Sequence, residues 1–185
     1  MKQLFALLLS GIFLAGCSAE TEIEQALAFR SRLLSGGGCS FTALVTADYG
    51  DELQEFTMEC QGDANGAITF EVTQPEAISG ITGNLSATGG ALTFDDTALH
   101  FELMAGGTLS PVSAPWIFLR TLRSGYIVSA CWEGEMLHLS IDDSYADDAL
   151  RLDIWLDGEG HPVRVEILQE GMGILTLRIE NFQIL

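Results

Sequence analysis

Apolar and polar residues alternate over most of this chain, most cleanly in its last third. Leu150, Leu152, Ile154 and Leu156 hold the even positions, with Arg151, Asp153 and Trp155 between them. Asp157-Gly158-Glu159-Gly160 then supplies turn chemistry, since glycine reaches backbone angles closed to other residues and aspartate bonds to nearby amides. Val163, Val165 and Ile167 hold the odd positions, and after Gly171-Met172-Gly173 so do Leu175, Leu177 and Ile179. Successive strand side chains point to opposite faces, so these runs predict antiparallel sheet with one greasy and one charged face. With the loop at Asp157–Gly160, Ile154 is expected opposite Val163 and Leu152 opposite Val165. The same register sets Asp153 against Arg164 and Arg151 against Glu166 on the outer face.

Upstream segments repeat the pattern. Phe41, Ala43, Val45 and Ala47 predict a strand, Asp48-Tyr49-Gly50-Asp51 a turn, and Phe56, Met58 and Cys60 the return strand. Ile68, Phe70 and Val72 predict a third strand, ended by Gln74-Pro75 because proline cannot donate to a ladder. Two short strands are expected around Gly80 to Leu85 and Ala91 to Phe94, another at Leu99, Phe101 and Leu103, and a hairpin from Tyr126–Cys131 and Met136–Ile141.

Two segments break the alternation. Glu22 to Leu34 predicts a helix with Ile23, Ala26, Leu27, Arg30 and Leu34 near one face, acids at its start, arginines near its end, and Gly36-Gly37-Gly38 as its stop. Pro111 to Arg123 predicts a second, with Ser113 as cap, Pro115 in the first turn and Gly125 at the end. Trp116, Ile117, Phe118, Leu119 and Leu122 make it apolar on most sides, the mark of a buried helix.

The start of the chain has a different logic. Lys2 precedes an apolar run from Leu4 to Leu14 that is too short to span a bilayer comfortably. It ends in Leu14-Ala15-Gly16-Cys17, which looks like a bacterial lipobox. The expected organisation is a lipoprotein signal peptide over residues 1–16, a lipid anchor and tether over 17–21, and a β domain over 22–185. Several acyl chains of the palmitate class on Cys17 would hold the domain at a cell membrane on its extracytoplasmic side, each buried CH₂ contributing about 0.8 kcal/mol. Lys2 is the only lysine, so the mature chain sets seven arginines against 26 acids. That balance excludes nucleic acid as a partner and electrostatic docking on anionic lipid.

Candidate chemistry is sparse. If Asp48–Asp51 closes the first hairpin, Cys39 lies opposite Cys60, and an exported protein favours a disulfide there. Closing a loop on the order of 20 residues would contribute roughly 3 kcal/mol, with two reduced core cysteines as the alternative. Cys131 is expected to be a buried free thiol. His100, His138 and His161 each stand alone with no metal-ligand spacing, so no metal site is expected. The acidic loop Asp142 to Asp148 lacks the calcium-loop register, which leaves a solvated loop as its default. No G-x-S-x-G, P-loop or Rossmann pattern occurs, so neither catalytic residues nor a cofactor are expected and a non-enzymatic role is.

A lipobox, an N-terminal helix, consecutive strands, an apolar internal helix and a closing set of strands together resemble the LolA/LolB-like lipoprotein-carrier superfamily, including its GerS-type germination lipoproteins. The local matches are Phe70-Glu71-Val72-Thr73-Gln74-Pro75, Leu156-Asp157-Gly158-Glu159-Gly160-His161-Pro162 with Val163-Arg164-Val165-Glu166-Ile167, and Leu177-Arg178-Ile179-Glu180-Asn181-Phe182. The resemblance implies a mostly β (α+β) fold: a curved, half-open antiparallel barrel of about ten strands over the two helices. It also implies a lipid or other apolar ligand, or alternatively an envelope partner protein of the stress-sensing or sporulation type. Two short helices are not expected to fill so large a concave face. The expected ligand cavity is therefore lined by Trp116, Phe118, Phe101, Phe70 and Leu139.

Overall fold

The computed structural model describes residues 21–185, apart from 49, 51, 95, 96, 102, 103, 106 and 107. The leader and Cys17 lie outside the described residues, as does the Phe101 side chain. Helix α1 spans Glu22–Ser35. Six strands follow: β1 (Gly38–Asp48), β2 (Leu53–Asp63), β3 (Ile68–Gln74), β4 (Thr82–Ser86), β5 (Gly89–Phe94) and β6 (Thr97–Phe101). A two-stranded ribbon, β7 (Met104–Ala105) and β8 (Thr108–Leu109), leads to α2 (Ala114–Ser124). Five more strands close the chain: β9 (Tyr126–Glu133), β10 (Met136–Asp142), β11 (Arg151–Leu156), β12 (Pro162–Gln169) and β13 (Met172–Ile184).

Eleven of these strands form one open antiparallel sheet in the order β6-β5-β4-β3-β2-β1-β13-β12-β11-β10-β9. The two meanders are joined where β13 pairs with β1. This is the expected half-open sheet over two helices. The apolar positions of β1, β2, β3, β11 and β13 are buried as the alternation predicts, with Ala43, Val45, Met58, Ile68, Leu152, Ile154 and Leu177 all fully enclosed.

Helix α1 begins with a reciprocal cap: Thr21 Oγ1 accepts from the Glu24 amide at 3.2 Å, and Glu24 Oε2 accepts from the Thr21 amide at 2.8 Å. Its inward face differs from expectation. Ala26, Phe29 and Leu33 are buried, while Ile23, Leu27 and Leu34 are between 40% and 50% exposed. Ala26, Phe29 and Leu33 recur at helical spacing and form the stripe that turns inward, with the Phe29 ring packed on Phe182 at a centroid distance of 6.1 Å. In α2, Pro115 occupies the first turn and Gly125 ends the helix as expected. Ser113 does not cap α2; its hydroxyl donates to the Ser110 carbonyl at 2.6 Å. Gly125 is needed there for close approach, since a Cβ would sit 2.7 Å from Ile141 Cγ2.

Two registers are shifted by two residues from expectation. The β1–β2 turn lies one residue later than predicted, with Asp48 opposite Leu53, so Cys39 faces Gly62 and Cys60 faces Phe41. The expected disulfide is not formed, and both thiols are free and buried. In the C-terminal hairpin Ile154 faces Val165, Leu152 faces Ile167, Asp153 faces Glu166 and Trp155 faces Arg164. The loop is longer than expected because Asp157 organises it: its Oδ1 accepts from the amides of Glu159 at 2.9 Å and His161 at 2.8 Å. A bulge after Trp155 then takes up an extra residue. Both slips are even-numbered, so Cys39, Cys60, Val165 and Ile167 keep their faces and only their partners change, whereas Val163, expected on the buried face, falls at the bulge and is half-buried while Pro162 is buried.

Candidate functional site

The concave face of the sheet is where a ligand was expected, and the two helices fill it. Trp116, Phe118, Phe70 and Leu139, four of the five expected lining residues, lie in one continuous core and are at most 5% exposed. Phe118 meets Phe41 edge-on with centroids 5.6 Å apart, and Phe41 stacks on Phe182 at 5.9 Å. Every residue of α2 from Ala114 to Leu119 is buried. The expected cavity among these side chains is therefore replaced by packed core. The reason is the bulk of α2, whose Trp, Ile, Phe and Leu side chains occupy space that two ordinary amphipathic helices would have left open.

Among the described residues, three clefts of ligand size open elsewhere, one of them a polar cleft of about 530 Å³ at the β4–β5 turn, lined by Asn84, Ser86, Thr88, Ala91 and His100. On the outer face, a groove of about 600 Å³ runs over β1 to β4 and the end of β13. Its walls are mixed: Thr42, Gln61, Thr69, Glu71, Asn84 and Asn181 bring polar groups, and Phe41, Cys60 and Phe70, the last an expected ligand residue, bring apolar ones. Asn181 adopts a left-handed backbone at φ 56°, at the irregularity where β13 slips against β1.

A third cleft of about 510 Å³ lies at the rim of the helices, between the end of α1, the outer side of α2 and the β2–β3 and β4–β5 turns. Leu34, Ala67, Ala87 and Trp116 give it apolar walls, and Arg120 and Arg123 supply two cations. Of the four expected ligand residues whose side chains are described, only Trp116 reaches it. Arg120 lies over the Trp116 ring at 4.8 Å and pairs with Asp143. Arg123 donates to the Ala64 carbonyl at 2.6 Å, tying α2 to the β2–β3 turn. Gly66 in that turn has φ 85°, and a Cβ there would come within 3.4 Å of Arg123 Nε. Close by, Arg30 joins the helices by donating from Nε to the Leu122 carbonyl at 2.7 Å, at the negative end of α2. Burial lowers the Arg30 pKa.

The remaining expected chemistry distributes as follows. Burial raises the pKa of Cys39 to about 11 and that of Cys60 further still, so both are inert thiols at neutral pH. Cys131, expected to be buried, is exposed. In the acidic loop, Asp142 is held by Arg151 at 2.8 Å and Asp143 by Arg120, so its first two carboxylates already serve arginines. His161 lies in the C-terminal turn, 3.8 Å from Asp157, and His100 is exposed on β6. His138 does not stand alone. Its strand places it among Cys131, Glu133, Asp153 and Trp155, which pairing across three strands brings together from 25 residues of sequence. No spacing rule for consecutive ligands detects such a set; the signal was the outward parity of Cys131, His138 and Trp155.

No protein-family model matches the sequence, and no curated protein matches it. Solved structures do resemble it in fold. A LolA superfamily protein from Nitrosomonas europaea is 8% identical, with 86% of this chain and 93% of that one covered and a TM-score of 0.48. The Mycobacterium tuberculosis lipoprotein LppX is 16% identical, over 87% of this chain and 92% of that one, at a TM-score of 0.42. A chain in the complex of the CwlD amidase and GerS lipoprotein of Clostridioides difficile is 12% identical, over 89% and 96%, at 0.45.

Proposed function

We propose that this chain is a lipid-anchored, extracytoplasmic, non-enzymatic binding domain whose ligand is an amphiphile with an apolar body and an anionic head. The observation that carries the reading is the cleft of about 510 Å³ with Trp116 and Leu34 in its walls and Arg120 and Arg123 beside them. Its volume falls in the range of small-molecule sites, and an apolar wall with a few charged groups is their usual chemistry. Asp143 already serves Arg120, while Arg123 has no ion-pair partner among the described residues and donates only to a carbonyl, so it gives the cleft a cation that favours an anionic group.

The test is uptake of a fluorescent fatty acid by the full chain in detergent-free nanodiscs, beside the fatty alcohol of equal length. Ala87→Trp, on an exposed turn, is expected to fill the cleft and cut uptake of both at least tenfold. Arg123→Gln is expected to weaken the acid and spare the alcohol. Uptake unchanged in Ala87→Trp overturns the site. A partner-protein role is the second reading, favoured by edge strand β9, where Tyr126, Val128 and Trp132 are 40–52% exposed. Absence of uptake by the native chain moves that reading to first place. The anchor has its own test: Cys17→Ser is expected to abolish acyl labelling.

A further inference from the structure

A separate group of side chains lies on the outer face of β9, β10 and β11, away from the cleft and independent of the reading above. Pairing sets Cys131 opposite His138 and His138 opposite Trp155. The His138 imidazole lies flat on the Trp155 indole, centroids 4.6 Å apart and planes within 10°. That stack fixes the ring plane and leaves each nitrogen a set direction. Nε2 points at Asp153 Oδ1, 3.1 Å away. Nδ1 points at Glu133 Oε1, 3.0 Å away, and at Cys131 Sγ, 3.9 Å away.

The supporting contacts orient the same atoms. Asp153 Oδ1 also accepts from Ser140 Oγ at 2.7 Å, so it is held in place to receive a proton from Nε2. A proton on Nε2 leaves Nδ1 of the neutral ring as a lone pair. Glu133 is held through its second oxygen, which accepts from Trp155 Nε1 at 2.9 Å, and this turns Oε1 toward the histidine. Arg164, over the far side of the Trp155 ring at 4.8 Å, completes the layer. Three electron-pair donors therefore converge: a sulfur, an imidazole nitrogen and a carboxylate oxygen, all within 4.8 Å of one another.

We propose that Cys131, Glu133 and His138 bind a borderline divalent cation of the Zn²⁺ class. Zinc–sulfur bonds of about 2.3 Å and zinc–nitrogen or –oxygen bonds of about 2.0–2.2 Å make tetrahedral edges of roughly 3.3–3.6 Å. The 3.9 Å and 3.0 Å separations bracket that range, so small side-chain rotations complete the geometry. A thiolate, an imidazole and one carboxylate suit zinc over calcium or magnesium, which take oxygen ligands. Three protein ligands leave a fourth position for water or a group from another molecule. A carboxylate behind a ligating histidine, as Asp153 is here, is the usual outer shell of a zinc site. The competing arrangement has no metal: a doubly protonated His138 clasped between Glu133 and Asp153. A nucleophilic role for Cys131 is less well supplied, because Glu133 and Asp153 place two negative charges where a thiolate needs positive ones.

The experiment is a Co²⁺ titration of the full chain in detergent micelles after chelator treatment. The expected result is a thiolate-to-cobalt charge-transfer band that saturates at one ion per chain and is erased by Zn²⁺. Cys131→Ser is expected to remove the band and His138→Gln to weaken binding at least tenfold. Asp153→Asn, which touches no metal, is expected to weaken it by about 10–100-fold. Cys131 is exposed, so its replacement leaves the fold intact, and circular dichroism checks this. As a second readout, saturating Zn²⁺ is expected to protect Cys131 from alkylation, with protection lost in His138→Gln. Absence of the band, its persistence in Cys131→Ser, or equal alkylation with and without Zn²⁺ overturns the site.

Discussion

Among the described residues the sheet contains two cross-strand pairs of acids, and they are treated in opposite ways. On the outer face of β2 and β3, Glu59 stands directly opposite Glu71. On the outer face of β11 and β12, Asp153 stands directly opposite Glu166. Like charges placed this way repel. In the second pair each acid has a partner of its own, His138 and Ser140 for Asp153 and Arg164 for Glu166. In the first pair neither acid has an ion-pair partner among the described residues. One half of the outer face is thus a solvated wall of threonines, amides and acids. The other is a connected layer of Cys131, His138, Trp155 and Arg164 in one row, braced by carboxylates. Both halves share one core. Organised chemistry on this surface therefore belongs to the C-terminal meander, where the side chains already hold one another.

The largest test asks whether the core is single. Phe118 of α2 lies against Phe41 of β1 and is wholly buried among residues of both meanders. Phe118→Ala is expected to cost about 3–5 kcal/mol in denaturant unfolding and to keep one transition, the cost coming from lost burial and the cavity left behind. Two separated transitions would show that the halves are independent units.

Next comes alkaline stability, which the N-terminal meander controls. Burial raises the Cys39 pKa from 9.0 to about 11, and Cys60 is raised as well. Above pH 9 the unfolded chain loses these protons and the folded chain keeps them. Stability is therefore fully present below pH 9 and falls as pH rises through 11, by roughly 2–3 kcal/mol for Cys39 alone. Cys39→Ala is expected to flatten this slope in pH-dependent melting. An unchanged slope would place the thiol in contact with solvent.

The third expected effect is on the connected layer. Trp155→Ala removes the ring under His138, the donor to Glu133 and the surface beneath Arg164. The expected cost is about 1–3 kcal/mol, against at most about 0.5 kcal/mol for Thr69→Ala on the opposite wall. Similar costs at the two sites would remove the distinction between the two halves of the outer face.

These contrasts also show what the sequence made legible. Alternation assigns a face, so Phe41, Met58, Ile68, Leu152 and Leu177 were all placed correctly. A period of two says nothing about which partner lies across, and each register moved by an even step as its turn shifted or lengthened. The Cys39–Cys60 pairing and the Arg151–Glu166 pairing failed for that one reason. The inward face of α1 was missed because two apolar stripes compete on that helix, and Ala26, Phe29 and Leu33 rather than Ile23, Leu27 and Leu34 turn inward. The Thr21-x-x-Glu24 cap was visible as a pattern and unread. The cluster around His138 needed the register of three strands at once, and the filled concave face needed the volumes of α2 side chains, neither of which a linear pattern carries.

The smallest effect is the sharpest form of the comparison, because it is a prediction of sign. Glu71 faces Glu59 across the ladder and has Thr82 on its other side. Glu71→Thr removes a like-charge contact and adds a β-branched residue suited to a strand, so it is expected to stabilise by about 0.2–1 kcal/mol. The gain is expected to shrink as salt rises, since screening already weakens the repulsion it relieves. Glu166→Thr makes the same chemical change opposite Asp153 and also removes a repulsion. It frees Arg164 from its carboxylate as well, in a pair whose side chains are 56% and 30% exposed. At that exposure the lost pair is worth at most about 1 kcal/mol, enough to offset the relief. Glu166→Thr is therefore expected to be neutral or destabilising where Glu71→Thr stabilises. Chemical denaturation of both variants at low and high salt decides it, and stabilisation of equal size at the two sites would mean that the Arg164 pair contributes nothing.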